Sequence, residues 1–126
     1  MLDVGHFLQR ELTGLHPWNC TTLPADWCIE LGYPDLAAGW RNITDCAEGE
    51  RITREAGGLV ALWERGIGDK LAWASEPWEA GDVAVVRLLE FEAGAIFTGK
   101  RWAIRGERGL AFLAVDQVEC VRAWRP

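Results

Sequence analysis

The fold of this chain is decided by residues 82–114, which read DVAVVRLLEFEAGAIFTGKRWAIRGERGLAFLA. This stretch holds four short runs of β-branched and apolar residues, each about as long as an ordinary strand. The runs cover residues 82–89, 93–98, 101–105 and 110–114. Glycines at positions 94, 99, 106 and 109 separate or flank these runs, and glycine suits tight turns. The stretch therefore predicts an antiparallel meander of short strands.

Helical patterns dominate the chain before these strands. Apolar residues recur at helical spacing over residues 2–13. A second helix is predicted over residues 20–31, with Asn19 as its N-cap. Further helices are predicted from 44 or 45 to 55 and from 59 to 64, separated by Gly57-Gly58. Helices first and strands later predict an α+β fold rather than alternating βαβ units.

The rest of the chain is punctuated by turn residues. Residues 69–80 carry no clear periodicity and are predicted to be loop. After the meander, a helical turn is predicted over residues 116–121, and residues 123–125 are predicted to return as an edge strand. With 126 residues in all, residues 1–126 are predicted to form a single domain.

Composition and charge exclude several classes of protein. The chain has 13 basic and 19 acidic residues, a formal net charge of −6, and no basic stripe, so no nucleic-acid partner is expected. No run approaches the roughly 20 apolar residues of a membrane span, and no signal peptide is visible at the N-terminus. The sequence therefore predicts a globular protein without a membrane span, made in the cytoplasm.

The four cysteines are predicted to be thiols. Their spacing fits neither a C-x-x-C pair nor a zinc pattern, so we expect no disulfide, no metal site and no cofactor. Eight tryptophans are many for this length, and most are expected to pack in the interior, Trp27 and Trp63 among them. The cysteines are Cys20, Cys28, Cys46 and Cys120, and the last three are expected to be packing residues.

Several short motifs carry a resemblance to a known superfamily. Trp18-Asn19-Cys20-Thr21-Thr22-Leu23 is similar to the segment around the nucleophile of the NlpC-type, papain-like cell-wall peptidases. Residues 81–86, GDVAVV, resemble the opening of a strand in that superfamily, and residues 93–99, AGAIFTG, resemble its histidine strand. The resemblance implies a papain-like fold in which N-terminal helices pack on a C-terminal antiparallel sheet.

A set of phage and prophage proteins of unassigned function is more similar still. They share Ala25-Asp26-Trp27, Gly57-Gly58-Leu59 and a C-terminal Ala123-Trp124-Arg125. The resemblance runs from about Trp18 to Arg125, which is most of the chain. It implies a bacterial cytoplasm as the place of synthesis and a virion tail as the destination.

The resemblance also marks where catalysis would sit. A papain-like site uses a cysteine at a helix start, where the helix dipole favours the thiolate, and a histidine on the adjoining strand. Cys20 falls at the nucleophile position, but Ala93 stands where the superfamily has its histidine, and Asn19 replaces the preceding aspartate. His16, four residues before Cys20, is the one alternative base near it in sequence. Trp18, Asn19 and Trp102 are candidates for the walls of the old cleft.

Three hypotheses of function follow. In the first, the chain is a phage tail-tip or tail-assembly structural protein built on a degenerate peptidase domain, with other tail proteins as partners. In the second, it is an active cysteine peptidase or amidase that cleaves peptidoglycan stem peptides as the phage enters the cell, with His16 or a partner's histidine as base. In the third, it binds cell-wall fragments in the old cleft. The missing strand histidine favours the first hypothesis and predicts no hydrolase activity.

Overall fold

The computed structural model describes residues 3–10, 21–43, 45–106 and 109–126. Four helices come first along the chain: α1 (Val4–Arg10), α2 (Leu23–Glu30), α3 (Cys46–Ala56) and α4 (Leu59–Ile67). Six strands follow: β1 (Ala72–Trp73), β2 (Val83–Leu88), β3 (Phe91–Phe97), β4 (Arg101–Gly106), β5 (Gly109–Ala114) and β6 (Glu119–Arg125). The predicted α+β class is confirmed.

The helix boundaries follow local capping chemistry. The side chain of Asp45 accepts a hydrogen bond of 2.9 Å from the backbone N–H of Ala47 and so caps α3. Gly57, with φ +99°, ends α3 in the left-handed conformation that glycine adopts without strain. The break predicted at Gly57-Gly58 is confirmed, since α4 begins directly after it.

The second helix begins later than its sequence pattern predicts. The structure places its N-cap at Thr22 and its first residue at Leu23, so a start at residue 20 was wrong. Asn19, the predicted cap, lies outside the described residues. Pro24 explains the shift, because proline is tolerated in the first turn of a helix and not further inside. Helix α2 still ends at the predicted turn, with Leu31 as its C-cap.

All six strands form one antiparallel sheet in the order β1-β6-β2-β3-β4-β5. The predicted meander is confirmed as β2 to β5, which pair in sequence order. Two predictions near it were wrong. The stretch 69–80 contains the short strand β1, and β6 lies between β1 and β2 rather than at an edge. The helical turn predicted over 116–121 is only a 3₁₀ turn at Val115–Gln117.

The two faces of the sheet bury different clusters. The helices pack on one face, which we call the helix face, against Val83, Val85, Ile96 and Trp124. The opposite face, the second face, buries another cluster, and Trp78 packs against it from the loop before β2. The members of the second cluster are Ala84, Val86, Ala93, Ala95, Phe97, Trp102, Ile104 and Ala123.

The predicted core tryptophans are confirmed. Trp27 is 4% exposed and Trp63 is 1% exposed, both within the cluster on the helix face. Trp63 packs edge-on against Trp40, with ring centroids 5.3 Å apart. In the described part of the chain, none of the helices has the length and apolar character needed to cross a membrane.

Candidate functional site

The candidate site lies at the start of α2, where the resemblance places a nucleophile, and at strand β3, on which α2 packs. Helix α2 contacts β3 on the helix face of the sheet. The approach is closest at Gly94: a Cβ added there would lie 2.7 Å from Cδ of Pro24 and 3.1 Å from the carbonyl oxygen of Thr21. Glycine at position 94 therefore lets the start of the helix approach the strand closely.

The residues proposed around the nucleophile position lie outside the residues that the structure describes. They are His16, Trp18, Asn19 and Cys20. Thr21 and Thr22, which follow directly, are both 2% exposed. The segment after Cys20 is thus buried between the sheet and the rest of the molecule.

Trp102 does not form a cleft wall. Its side chain is fully buried in the cluster on the second face, where its ring lies 5.1 Å from that of Phe97 and 5.5 Å from that of Trp78. The expectation failed because β4 alternates its side chains between the two faces. Ala103 points toward the helices, so its neighbour Trp102 points away from them.

Ala93 lies on the face of the sheet that the helices do not cover. It pairs with Val86, and both side chains belong to the cluster on the second face. Its neighbour Gly94 is the residue that meets the start of α2. A histidine at position 93 would therefore point into the second cluster, away from the helix, because successive side chains of a strand alternate between faces.

The aspartate of the Ala-Asp-Trp motif anchors α2 to two other elements. Asp26 forms ion pairs of 2.6 Å with Arg41 and 3.1 Å with Arg105 of β4. Arg41 also holds Asp35 through hydrogen bonds of 2.6 and 2.8 Å. The hydrogen bond from Arg41 lowers the pKa of the Asp35 carboxyl, and the same contact raises that of the guanidinium. These carboxylates are engaged in holding the fold.

The Gly-Asp strand opening has a structural role of the same kind. The carbonyl of Gly81 accepts a hydrogen bond of 3.1 Å from Nε1 of Trp27. Asp82 is 1% exposed and accepts two hydrogen bonds of 2.8 Å from Arg125, at the end of β6. The hydrogen bond to Asp82 is the main reason why the pKa of Arg125 is raised.

The thiols in the described part of the chain are poor nucleophiles. Burial raises the pKa of Cys28 to about 12 and that of Cys120 to about 11. Cys28 is buried, as expected of a packing residue, and Cys120 is half-buried. The side chain of Cys46 lies outside what the structure describes. Neither Cys28 nor Cys120 can replace Cys20 as a nucleophile near neutral pH, because the thiolate is the reactive form.

An open groove of about 330 Å³ lies beside the start of α2. It runs between α3 and the turn that joins β2 to β3, and its base includes Thr21. Its lining residues are Thr21, Glu50, Thr53, Arg54, Leu59, Glu90, Phe91 and Glu92. Sequence reasoning missed this groove, since α3 and the β2–β3 turn are about 40 residues apart. The one available signal was Leu88-Leu89, two large apolar residues at a hairpin turn.

A metal-binding cluster is absent from the described residues. Across residues 3–10, 21–43, 45–106 and 109–126, no three side chains of His, Cys, Asp or Glu converge on a point where a metal ion could bind. His6, on α1, is exposed to solvent. The groove is lined by three glutamates, an arginine, two threonines and two apolar side chains.

Comparison with known proteins gives one match. Residues 10–126 match DUF6950, which is described as a domain of unknown function. No curated protein and no solved structure matches the chain. Because the match covers nearly the whole sequence, the chain belongs to the DUF6950 family.

Proposed function

We propose that this chain is a phage tail-tip or tail-assembly structural protein built on a degenerate papain-like cell-wall peptidase domain. The phage assignment rests on the motifs that the sequence shares with phage and prophage proteins. The structural role rests on the chemistry around the start of α2. In this role the chain contacts other tail proteins and carries out no reaction.

The observation that carries the proposal is that none of the six strands that the structure describes contains a histidine. A papain-like site needs a strand histidine that faces the cysteine, to take its proton and later to protonate the leaving amine. Position 93 has no titratable side chain, and both histidines of the chain, His6 and His16, precede the strands in the sequence. Loss of a proton-transfer partner costs about 10²–10⁴-fold in rate, and more when the residues act as a unit.

The other residues of the shared motifs support the same conclusion. Asp26, Trp27 and Asp82 are engaged in ion pairs or hydrogen bonds that join α2, β2, β4 and β6. Such contacts stabilise the shell of the domain. The shared motifs can therefore serve the fold in a protein that no longer catalyses a reaction.

Two measurements test the proposal. The purified protein is incubated with peptidoglycan, and released stem peptides are followed by mass spectrometry, beside a Cys20→Ala variant as control. We expect no release from either. Release by the unmodified protein that Cys20→Ala abolishes would instead support the active peptidase. Mass spectrometry of purified virions should then find the chain among the tail proteins, and its absence from virions would refute the structural role.

A further inference from the structure

The turn between β2 and β3 has an unusual residue at its tightest point. Leu88 pairs with Phe91, so the turn consists of Leu89 and Glu90 alone. Leu89 has φ +56°, the left-handed region, and it is the one residue other than glycine with positive φ in the described chain. A side chain in that conformation costs roughly 1–2 kcal/mol, and two-residue hairpin turns normally place glycine or asparagine there.

The strained leucine gains nothing from packing. Leu89 is 90% exposed, and its neighbours Phe91 and Leu88 are 49% and 36% exposed. A single exposed apolar residue is ordinary, but three around one strained turn form a small apolar protrusion that water surrounds. We call Leu88, Leu89 and Phe91 the apolar knob. The knob costs free energy in the isolated protein, and an apolar contact from outside the chain would offset that cost.

The groove beside the knob is acidic. Glu90 lies in the turn itself, and Glu50 of α3 lines the same groove. Neither carboxylate forms an ion pair with any described residue. Glu92, in contrast, is held by Arg87 at 2.9 Å. Arg54 is the single cation among the lining residues, so the groove keeps an excess of negative charge.

We infer that the apolar knob and the acidic groove together dock a partner protein through a segment in which a lysine or arginine stands next to an apolar residue. The apolar side chain covers Leu89 and Phe91, and the cation lies between Glu50 and Glu90. Charge complementarity of this kind sets the register and the specificity of a contact. The inference rests on the proposed structural role and gives the chemistry of its partner.

A second copy of this chain is a poor occupant. Two knobs in contact would bring the Glu90 carboxylates of both copies together, and each copy has a net charge of −6. Like charges at close range weaken association. A basic segment of a different protein would be attracted to Glu90 rather than repelled by it.

Two fluorescent nonapeptides test the inference by anisotropy: GSLRLRFSG, and its acidic counterpart GSLELEFSG. The full chain should bind the basic peptide at least about tenfold more tightly than the acidic one, and added salt should weaken that binding. Leu89→Gly removes the most exposed side chain of the knob and the backbone strain together. It should weaken binding of the basic peptide about tenfold, while the thermal unfolding midpoint stays the same or rises.

Charge reversal at two positions distinguishes peptide binding in the groove from attraction to the negative charge of the chain as a whole. Glu90→Lys should weaken binding of the basic peptide about tenfold, whereas Glu64→Lys, on the exposed side of α4 and outside the groove, should change it less than about twofold. Equal binding of both peptides, equal effects of the two charge reversals, or unchanged binding by Leu89→Gly would each overturn the docking site. Self-association in sedimentation velocity that Leu89→Gly abolishes would overturn the assignment of the occupant.

Failure of the docking site is distinguishable from failure of the proposed function. A chain that is found in virions but binds neither peptide refutes the docking site alone. A chain that hydrolyses peptidoglycan refutes the structural role, whatever the peptides show.

Discussion

Arg125, at the end of β6, holds Asp82, at the start of β2, through two side-chain hydrogen bonds of 2.8 Å. The Asp82 carboxylate also accepts a hydrogen bond of 2.8 Å from the backbone N–H of Glu79. Two motifs that are 43 residues apart in the sequence thus meet at one buried carboxylate. That contact joins the end of β6 to the start of β2.

We expect Asp82→Asn to destabilise the fold. The amide cannot accept both hydrogen bonds from the guanidinium, and the buried position offers no water in exchange, so the loss should be about 2 kcal/mol. Urea unfolding followed by tryptophan fluorescence measures it. Asp116→Asn, at an exposed position of the 3₁₀ turn, is the matched control and should change stability little. Equal stability of the two variants would contradict the role given to Asp82.

Gly94→Ala tests how closely α2 approaches the sheet. The new methyl would lie 2.7 Å from Cδ of Pro24, and overpacking of this kind costs about 1–3 kcal/mol. Gly106→Ala is the control, because a Cβ there meets no atom closer than 3.6 Å and its φ is not positive. Thermal unfolding should show a lower midpoint for Gly94→Ala only. A similar midpoint for both variants would mean that α2 does not rest on β3 at this point.

The buried and exposed tryptophans should respond differently to truncation. Trp27→Ala removes a ring that is 4% exposed and its hydrogen bond to Gly81, and should cost roughly 3–5 kcal/mol. Trp73 is 67% exposed, and its ring lies 4.1 Å from the guanidinium of Arg122. Trp73→Ala should lower the free energy of unfolding by less than about 1 kcal/mol. Chemical unfolding of both variants measures the difference. An unchanged unfolding curve for Trp27→Ala would contradict its place in the core.

Alkylation should leave Cys28 untouched in the folded protein. With its pKa raised to about 12, only roughly one molecule in ten thousand carries a thiolate there at pH 8. Iodoacetamide treatment at pH 8, followed by peptide mapping, should find Cys28 unmodified, and the same treatment in urea should modify it. The pKa of Cys28 is higher in the folded protein than in the unfolded chain. Its protonated thiol therefore contributes to the free energy of unfolding below the unfolded pKa of about 8.5, and that contribution is lost as the pH rises toward 12. Rapid labelling of folded Cys28 would count against its burial.

The sequence by itself determined the local features of this protein. The break at Gly57-Gly58, a helix start near residue 44 or 45 and the strands of the meander depend on residues close together in the chain, so their conformational preferences show in the pattern. The start of α2 was misplaced by three residues, because Pro24 and Thr22 set the helix start and Asn19 was the more conspicuous cap. Helix ends are the least certain part of any such pattern.

Only the tertiary structure decided which side chains meet. Strand β6 was predicted to be an edge strand but pairs with both β1 and β2, and Arg125 at its end contacts Asp82 before β2. The resemblance predicts that Ala93 takes the place of a strand histidine, yet its side chain lies on the face away from α2. Gly94, and not Ala93, packs against the start of α2, and successive residues of a strand face opposite sides. The acidic groove joins α3 to a distant hairpin, and contacts of that separation leave no periodic trace in the sequence.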